Sequence, residues 1–266
     1  MTASSRTPSQ HFDEPTLRAR QLASQRGFFA AMAGGAPDSR LFELDGCQAT
    51  LVPVRPWFSI FNPVVYRDGG ALLAALPRLA ADYEAAGVNA WTVWVPPGDE
   101  ETARGLEAAG HRLDSQPMLM AAAIDEIDVE PRIELDLHES PTWELIARCN
   151  DRAYGVLEPW SMAAVFSAMD DPATRLYAAR REGEVAAGLL ARELDGDCYF
   201  WFVATVPEAQ RSGLAAELMR HALRKASEHG CETATLEATK AGEPVYARLG
   251  FGSFGRYGMW ERRQGA

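Results

Sequence analysis

The chain has 266 residues, 47% of them hydrophobic and 24% charged, a globular composition that excludes disordered, collagen-like and coiled-coil classes. Its 26 Lys and Arg against 37 Asp and Glu leave a formal net charge of -11. Such a field repels phosphate backbones and anionic lipid, so no nucleic acid and no membrane partner is expected, while a cationic ligand is mildly favoured.

No stretch reaches the roughly 18 apolar residues of a membrane helix, and MTASSRTPSQHFDEP carries no apolar signal segment. The expectation is a cytoplasmic protein with a flexible tail over residues 1–13. Cys47, Cys149, Cys198 and Cys231 lie far apart without a CxxC pair, which fits free thiols in a reducing compartment. The five histidines show no metal-ligand spacing, so no metal is expected.

In chain order, Leu17, Leu22 and Phe28 or Phe29 predict a helix over Asp13 to Ala33. Next, LFEL and CQATLVPV flank Asp45-Gly46, a pair that supplies the positive φ angles of a tight hairpin. An apolar run, WFSIF, and a Gly-opened helical stretch ending at Gly87 follow, then a buried strand AWTVWV, a short helix DEETARGLEAAG and strand-like PMLMAAAI. The charged, aperiodic segment from Asp125 to Glu139 reads as a connection between domains, with the boundary near Val129. Split at residue 130, the net charges of the two halves are -7 and -4, so neither half is a basic arm.

After the boundary, helices are predicted around Trp143 to Tyr154 and Met162 to Met169. Three strands follow, TRLYAAR, EVAAGLLAREL and CYFWFVATV, joined by Glu182-Gly183 and Asp195-Gly196 into an antiparallel meander. The third strand is apolar on both faces and needs cover on both. It runs into Gln210-Arg211-Ser212-Gly213-Leu214-Ala215, and then into a helix with Leu218, Met219, Ala222, Leu223 and Ala226 on one face, ending at Gly230. The first amides of a helix have no internal partner, and with the dipole they suit a phosphate; Gly213 lets the backbone approach it closely.

The string Gln210 to Ala215 resembles the [QR]-x-x-G-x-[GA] pyrophosphate loop of the GNAT acetyltransferase superfamily. Downstream, after the strand TATLEAT, Tyr246-Ala247-Arg248-Leu249-Gly250-Phe251 is similar to that family's Y-x-x-L-G-F segment, and the likeness covers about Leu137 to Arg263. The resemblance implies that acetyl-CoA is the co-substrate, its pantetheine along Val203, Ala204 and Thr205 and its pyrophosphate on Gln210, Arg211, Ser212, Gly213, Leu214 and Ala215. It also implies that Tyr246 protonates the departing thiolate. The family's strand glutamate, the usual base, has no counterpart in CYFWFVAT. Glu193, Asp197, Glu237 and Glu158 are the nearest carboxylates, and each is expected to be a surface group.

The first half echoes the second: Gly70 to Gly87 and Gly213 to Gly230 both span 17 positions, placing Arg67 to Leu72 on the loop and Leu106 to His111 on Tyr246 to Phe251. Asp68, Leu72, Leu106 and a helix-interrupting Pro77 mark the first copy as degenerate. The expected fold class is α+β (mixed α/β), with two GNAT-like domains, each a mixed, mostly antiparallel sheet flanked by helices, over residues 14–128 and 129–266. The expected activity is transfer of an acetyl or short acyl group to a small-molecule or peptide amine, with a homodimer left open. The competing expectations are an acyl-CoA-binding sensor or interaction protein with decayed catalytic groups, and a first half that binds a coenzyme A of its own.

Overall fold

The computed structural model describes residues 12–156 and 162–264. Nearly all of the expected tail, together with Glu158 and Trp160, lies outside the described residues. In chain order the elements are α1 (Glu14–Met32), β1 (Arg40–Leu44), β2 (Cys47–Leu51), β3 (Pro63–Tyr66), α2 (Gly69–Ala85), β4 (Ala90–Val95), α3 (Glu100–Ala108), β5 (Arg112–Ser115) and β6 (Met118–Ala123). These are followed by β7 (Asp136–Leu137), α4 (Trp143–Tyr154), β8 (Thr174–Arg181), β9 (Glu184–Leu194), β10 (Asp197–Thr205), α5 (Leu214–Glu228), β11 (Thr233–Ala238), α6 (Glu243–Leu249), β12 (Gly252–Arg256) and β13 (Gly258–Arg263).

The turns follow from their residues. Glu182-Gly183 and Asp195-Gly196 take φ values of 56° and 84° and of 48° and 77°, positive at both central positions, as a tight hairpin requires. Several elements differ from expectation. Pro77 does not interrupt α2, which runs through it. The segment Met162–Phe166 is a 3-10 turn and not an α-helix. Strand β3 is masked in the sequence by Pro63, which occupies its first position, where a missing N–H costs no ladder bond. The short, exposed β5 has no alternation to betray it.

The strands form two sheets, β1-β2-β3-β4-β13-β5 and β12-β6-β11-β10-β9-β8-β7. Each is mostly antiparallel and contains a parallel pair, β3 with β4 and β10 with β11, and each is flanked by helices. This is the expected mixed α/β class. The chain divides into one unit of residues 1–25, 118–163 and 171–254 and another of 26–117, 164–170 and 255–266. That division departs from a single cut at 128/129, for a specific reason: the last strands of the two halves are exchanged. Strand β6 pairs along its whole length with β11, Met118 opposite Ala238 and Ala123 opposite Thr233. Strand β13 pairs in the same way with β4, Gly258 opposite Val95 and Arg263 opposite Ala90.

In the seven-stranded unit, alternation sorts β10 and β11 into two faces. Cys198, Phe200, Ala234 and Leu236 join Leu218, Met219, Ala222 and Leu223 of α5 in one buried core. The larger of these, Phe200, Leu218, Met219, Leu223 and Leu236, each contribute about 1.5–3 kcal/mol by leaving water. Asp197, Tyr199, Thr233, Thr235 and Glu237 point the other way and meet polar side chains of α1. The six-stranded unit has its own core, which includes Leu51, Val64, Leu72, Leu76, Leu79, Tyr83, Trp91, Val93 and Leu106.

Candidate active site

Parallel pairing between β10 and β11 runs only from Asp197 opposite Thr233 to Phe200 opposite Leu236, although the strands continue to Thr205 and Ala238. Beyond that point each turns to its other neighbour. Trp201, Ala204 and Thr205 pair with β9, while Glu237 and Ala238 pair with β6. A bulge drives the separation. Between Trp201, opposite Leu190, and Ala204, opposite Gly188, β10 has one residue too many, and Phe202 absorbs it at φ +51°. The two strands therefore part, with Val203, Ala204 and Thr205 along one side of the opening.

The loop Gln210 to Ala215 lies between this strand end and α5. Its shape is set from within: Gln210 Nε2 donates to the Thr205 carbonyl at 3.4 Å, and Ser212 Oγ donates to the Ala209 carbonyl at 2.6 Å. Arg211 at φ +63° and Gly213 at φ +87° reverse the chain into the helix. Gly213 caps α5 without a side chain, so the first amides of that helix carry no capping oxygen. A Cβ built on Gly213 meets nothing within 4 Å, so the turn itself is not crowded. The Leu214 side chain is buried, leaving its backbone N–H as its contribution. An uncapped amide row at a helix start, with Arg211 exposed beside it, is chemically fit for a pyrophosphate.

The matching loop of the other unit is closed. Asp68 Oδ1 accepts from the Ala71 N–H at 2.9 Å, taking up an amide at the start of α2. At Gly70, the counterpart of Gly213, a Cβ would lie 3.3 Å from Asp68 Oδ1; at the preceding Gly69 one would lie 2.1 Å from Thr102 Oγ1, and Tyr66 OH donates to Asp99 at 2.6 Å.

Tyr246 sits on α6 just past the end of β11. Its ring edge is so near Gly242 that a Cβ there would approach Cε2 to 2.8 Å, and Phe251 lies against it with ring centroids 6.2 Å apart. Burial, with Tyr154 adding a little, raises its phenol well above the ordinary value, so it stays protonated at neutral pH.

The carboxylates correct the sequence reading, because none of the three described is a free surface group. Glu193 pairs with His229 at 3.0 Å with its own side chain 12% exposed. Asp197 is fully buried and accepts from Ser24 at 2.8 Å, Thr233 at 2.9 Å and Thr235 at 2.6 Å; burial lifts it to about 6 against those bonds. Glu237 stands at the first position of β11 beyond its pairing with β10. One of its oxygens accepts from Tyr199 OH at 2.7 Å and Trp201 Nε1 at 3.3 Å, the other from Gln21 and Gln25. Burial lifts it to about 7, opposed by the Tyr199, Trp201 and Gln21 bonds to its charged form. The alternation of TATLEAT carried the signal, since a glutamate in phase with two buried threonines belongs to a covered face. Among the described residues, no group of His, Cys, Asp and Glu could hold a metal ion, and no helix is long and apolar enough to cross a membrane.

Residues 135–251 match the Acetyltransferase (GNAT) family. No curated protein sequence matches the chain. Among solved structures it is similar to a GCN5-related N-acetyltransferase from Kribbella flavida, at 20% identity and TM-score 0.64 over 92% of this chain and 96% of that one. It is also similar to a tandem GNAT protein from the clavulanic acid biosynthesis pathway, at 14% identity and TM-score 0.60 over 93% and 96%. A third is a functionally unknown conserved protein from Staphylococcus epidermidis ATCC 12228, at 13% identity and TM-score 0.62 over 85% and 94%. These likenesses establish the fold across both halves of the chain. Residues 135–251 are thus a GNAT acetyltransferase domain, in a chain whose other half is GNAT-like by fold, and the protein is an acyltransferase.

Proposed function

We propose that the protein transfers an acetyl or other short acyl group from coenzyme A to an amine, by direct attack in a ternary complex. The observation that carries this reading is the parting of β10 from β11 beyond Phe200 and Leu236, next to the uncapped amides that follow Gly213. Acetyl-CoA would supply the activated thioester. Val203 to Thr205 would present backbone groups to the pantetheine and an amide to the developing oxyanion, and the loop from Gln210 to Ala215 would hold the pyrophosphate.

Glu237 takes the place of the missing β10 glutamate. An alkyl ammonium, with a pKa of about 10.4, must lose a proton before it can attack. Glu237 accepts that proton, directly or through a water. The amine nitrogen then bonds to the acyl carbon, the carbon–sulfur bond breaks as Tyr246 OH gives its proton to the departing thiolate, and the second proton shed by the nitrogen restores the phenol. Near neutral pH each group reaches the protonation state its role needs, Glu237 as a carboxylate above about 7 and Tyr246 as an uncharged phenol. A carboxylate on the strand beside β10 also weakens the case for a decayed sensor, which rested on the absence of a base.

The acceptor is an amine, small or peptidic, and the net charge of -11 mildly favours a cationic one. The test is a screen of amino acids, polyamines, aminoglycosides and peptides with acetyl-CoA, following free thiol. Amine-dependent thiol release that falls in Glu237→Gln supports the reading; tight acetyl-CoA binding with no acceptor in any class overturns it.

A further inference from the structure

We propose that α1, which lies wholly before the family-matched segment, is part of the catalytic machinery, with Gln21 and Gln25 as positioning residues that hold Glu237 in its ionised form. The proposal rests on the reading of Glu237 as the proton acceptor. Gln21, Ser24 and Gln25 fall on one face of α1 at spacings of three and four, and all three are fully buried. A helix that buries three polar side chains side by side on one face must give them partners. Here the partners are two acidic side chains, the buried Asp197 of β10 and the half-buried Glu237 of β11. Ser24 Oγ donates to Asp197 at 2.8 Å. Gln21 Nε2 donates to Glu237 Oε1, and Gln25 Nε2 reaches the same oxygen at 3.3 Å. The Gln25 Oε1 has no hydrogen-bond partner among the described residues, so Glu237 is what orients that amide; turned over, it would set oxygen against oxygen.

The arrangement divides the work between two elements. Tyr199 and Trp201 of β10 hold Oε2, and α1 holds Oε1. The titratable and charged groups facing the carboxylate are few. From β10 come Asp197 and Tyr199. From α1 comes Arg20, whose guanidinium is engaged with Glu232 at 2.9 Å, Thr233 Oγ1 at 3.1 Å and the Gly196 carbonyl at 3.3 Å. From β6 Leu119 stands opposite, an apolar residue. With no cation bonded to Glu237, neutral donors are what counter its burial, and half of them belong to α1. Each donor favours the charged form over the protonated one. Removing the two amides therefore leaves the carboxyl protonated at neutral pH, unable to take a proton from an ammonium.

The test uses the full chain labelled with carbon-13 at glutamate carboxyls, the Glu237 resonance being identified by its loss in Glu237→Gln. Wild type should titrate near pH 7. In Gln21→Met/Gln25→Met the midpoint should rise by about one pH unit or more, and the acidic limb of the pH–rate profile should rise with it, activity returning at high pH. If that double variant does not fold, Gln25→Met alone removes one donor and should give a smaller rise. A midpoint that stays in place, or turnover lost equally at every pH, overturns the proposal. The two readings fail separately. If Glu237→Gln keeps wild-type turnover and pH profile, the base assignment falls while the titration still reports the clamp; if Glu237→Gln abolishes the limb but the glutamine variants leave the midpoint unmoved, only the clamp falls.

Discussion

At the scale of the residue, the account turns on two groups whose environments set their protonation. Tyr246 is half-buried, lies beside the end of β11 and stays a phenol at neutral pH. Tyr246→Phe should lower turnover by about 10²-fold or more, the typical worth of a positioned acid, with acetyl-CoA affinity unchanged; steady-state kinetics beside calorimetry would check it, and unchanged turnover would remove the assignment. Glu237 carries a consequence for stability as well. Its folded value of about 7 lies above that of an exposed glutamate, so the folded protein keeps a proton that the unfolded chain releases. The stability from this is full below pH 4 and is lost as pH rises towards 7. His111, lowered to about 4 by burial, acts in the opposite sense over an overlapping range, so a difference is the clean measurement. Wild type should gain on Glu237→Gln by on the order of 3 kcal/mol between pH 8 and pH 4, read from denaturant melts at each pH, and a constant difference would contradict it.

At the scale of the element, the strand–loop–helix from β10 to α5 was legible because its constraints are local. A strand apolar on both faces, a Gly at a helix start and an apolar stripe at helical spacing each announce themselves in a single sequence window. Gly213 is where that locality bites. At φ +87° with open space around it, Gly213→Ala costs about 1–2 kcal/mol in left-handed backbone strain and not in steric collision. We expect acetyl-CoA affinity to fall about tenfold as the loop relaxes, with α5 intact by circular dichroism; an unchanged affinity would show that the loop tolerates an L-residue and that the amide row is not strained into place. What was not legible were contacts far apart in sequence. The pairing of Glu237 with Gln21 spans 216 residues, and a polar stripe on α1 has no meaning until the strands it covers are in place.

At the scale of the whole molecule, the repeat was visible in glycine spacing, and the structure bears it out in the two parallel pairs, β3 with β4 and β10 with β11. The exchange of last strands was not visible, since PMLMAAAI and YGMWERR look alike whichever sheet receives them. It has a direct consequence for dissection. A fragment of residues 129–266 lacks β6 and leaves all six residues of β11 unpaired on that edge, a template for association. It should aggregate on size-exclusion chromatography where the full chain does not, and a monodisperse, folded fragment would contradict the exchange. The duplication also separates one uncapped loop from one capped loop. A Cβ on Gly213 meets nothing within 4 Å, whereas at the aligned Gly70 it would lie 3.3 Å from Asp68 Oδ1, the carboxylate that caps α2. Calorimetric titration of acetyl-CoA into the full chain tests this most directly. The account predicts one molecule bound per chain, with affinity reduced in Gly213→Ala; two per chain, or binding indifferent to that substitution, would contradict it.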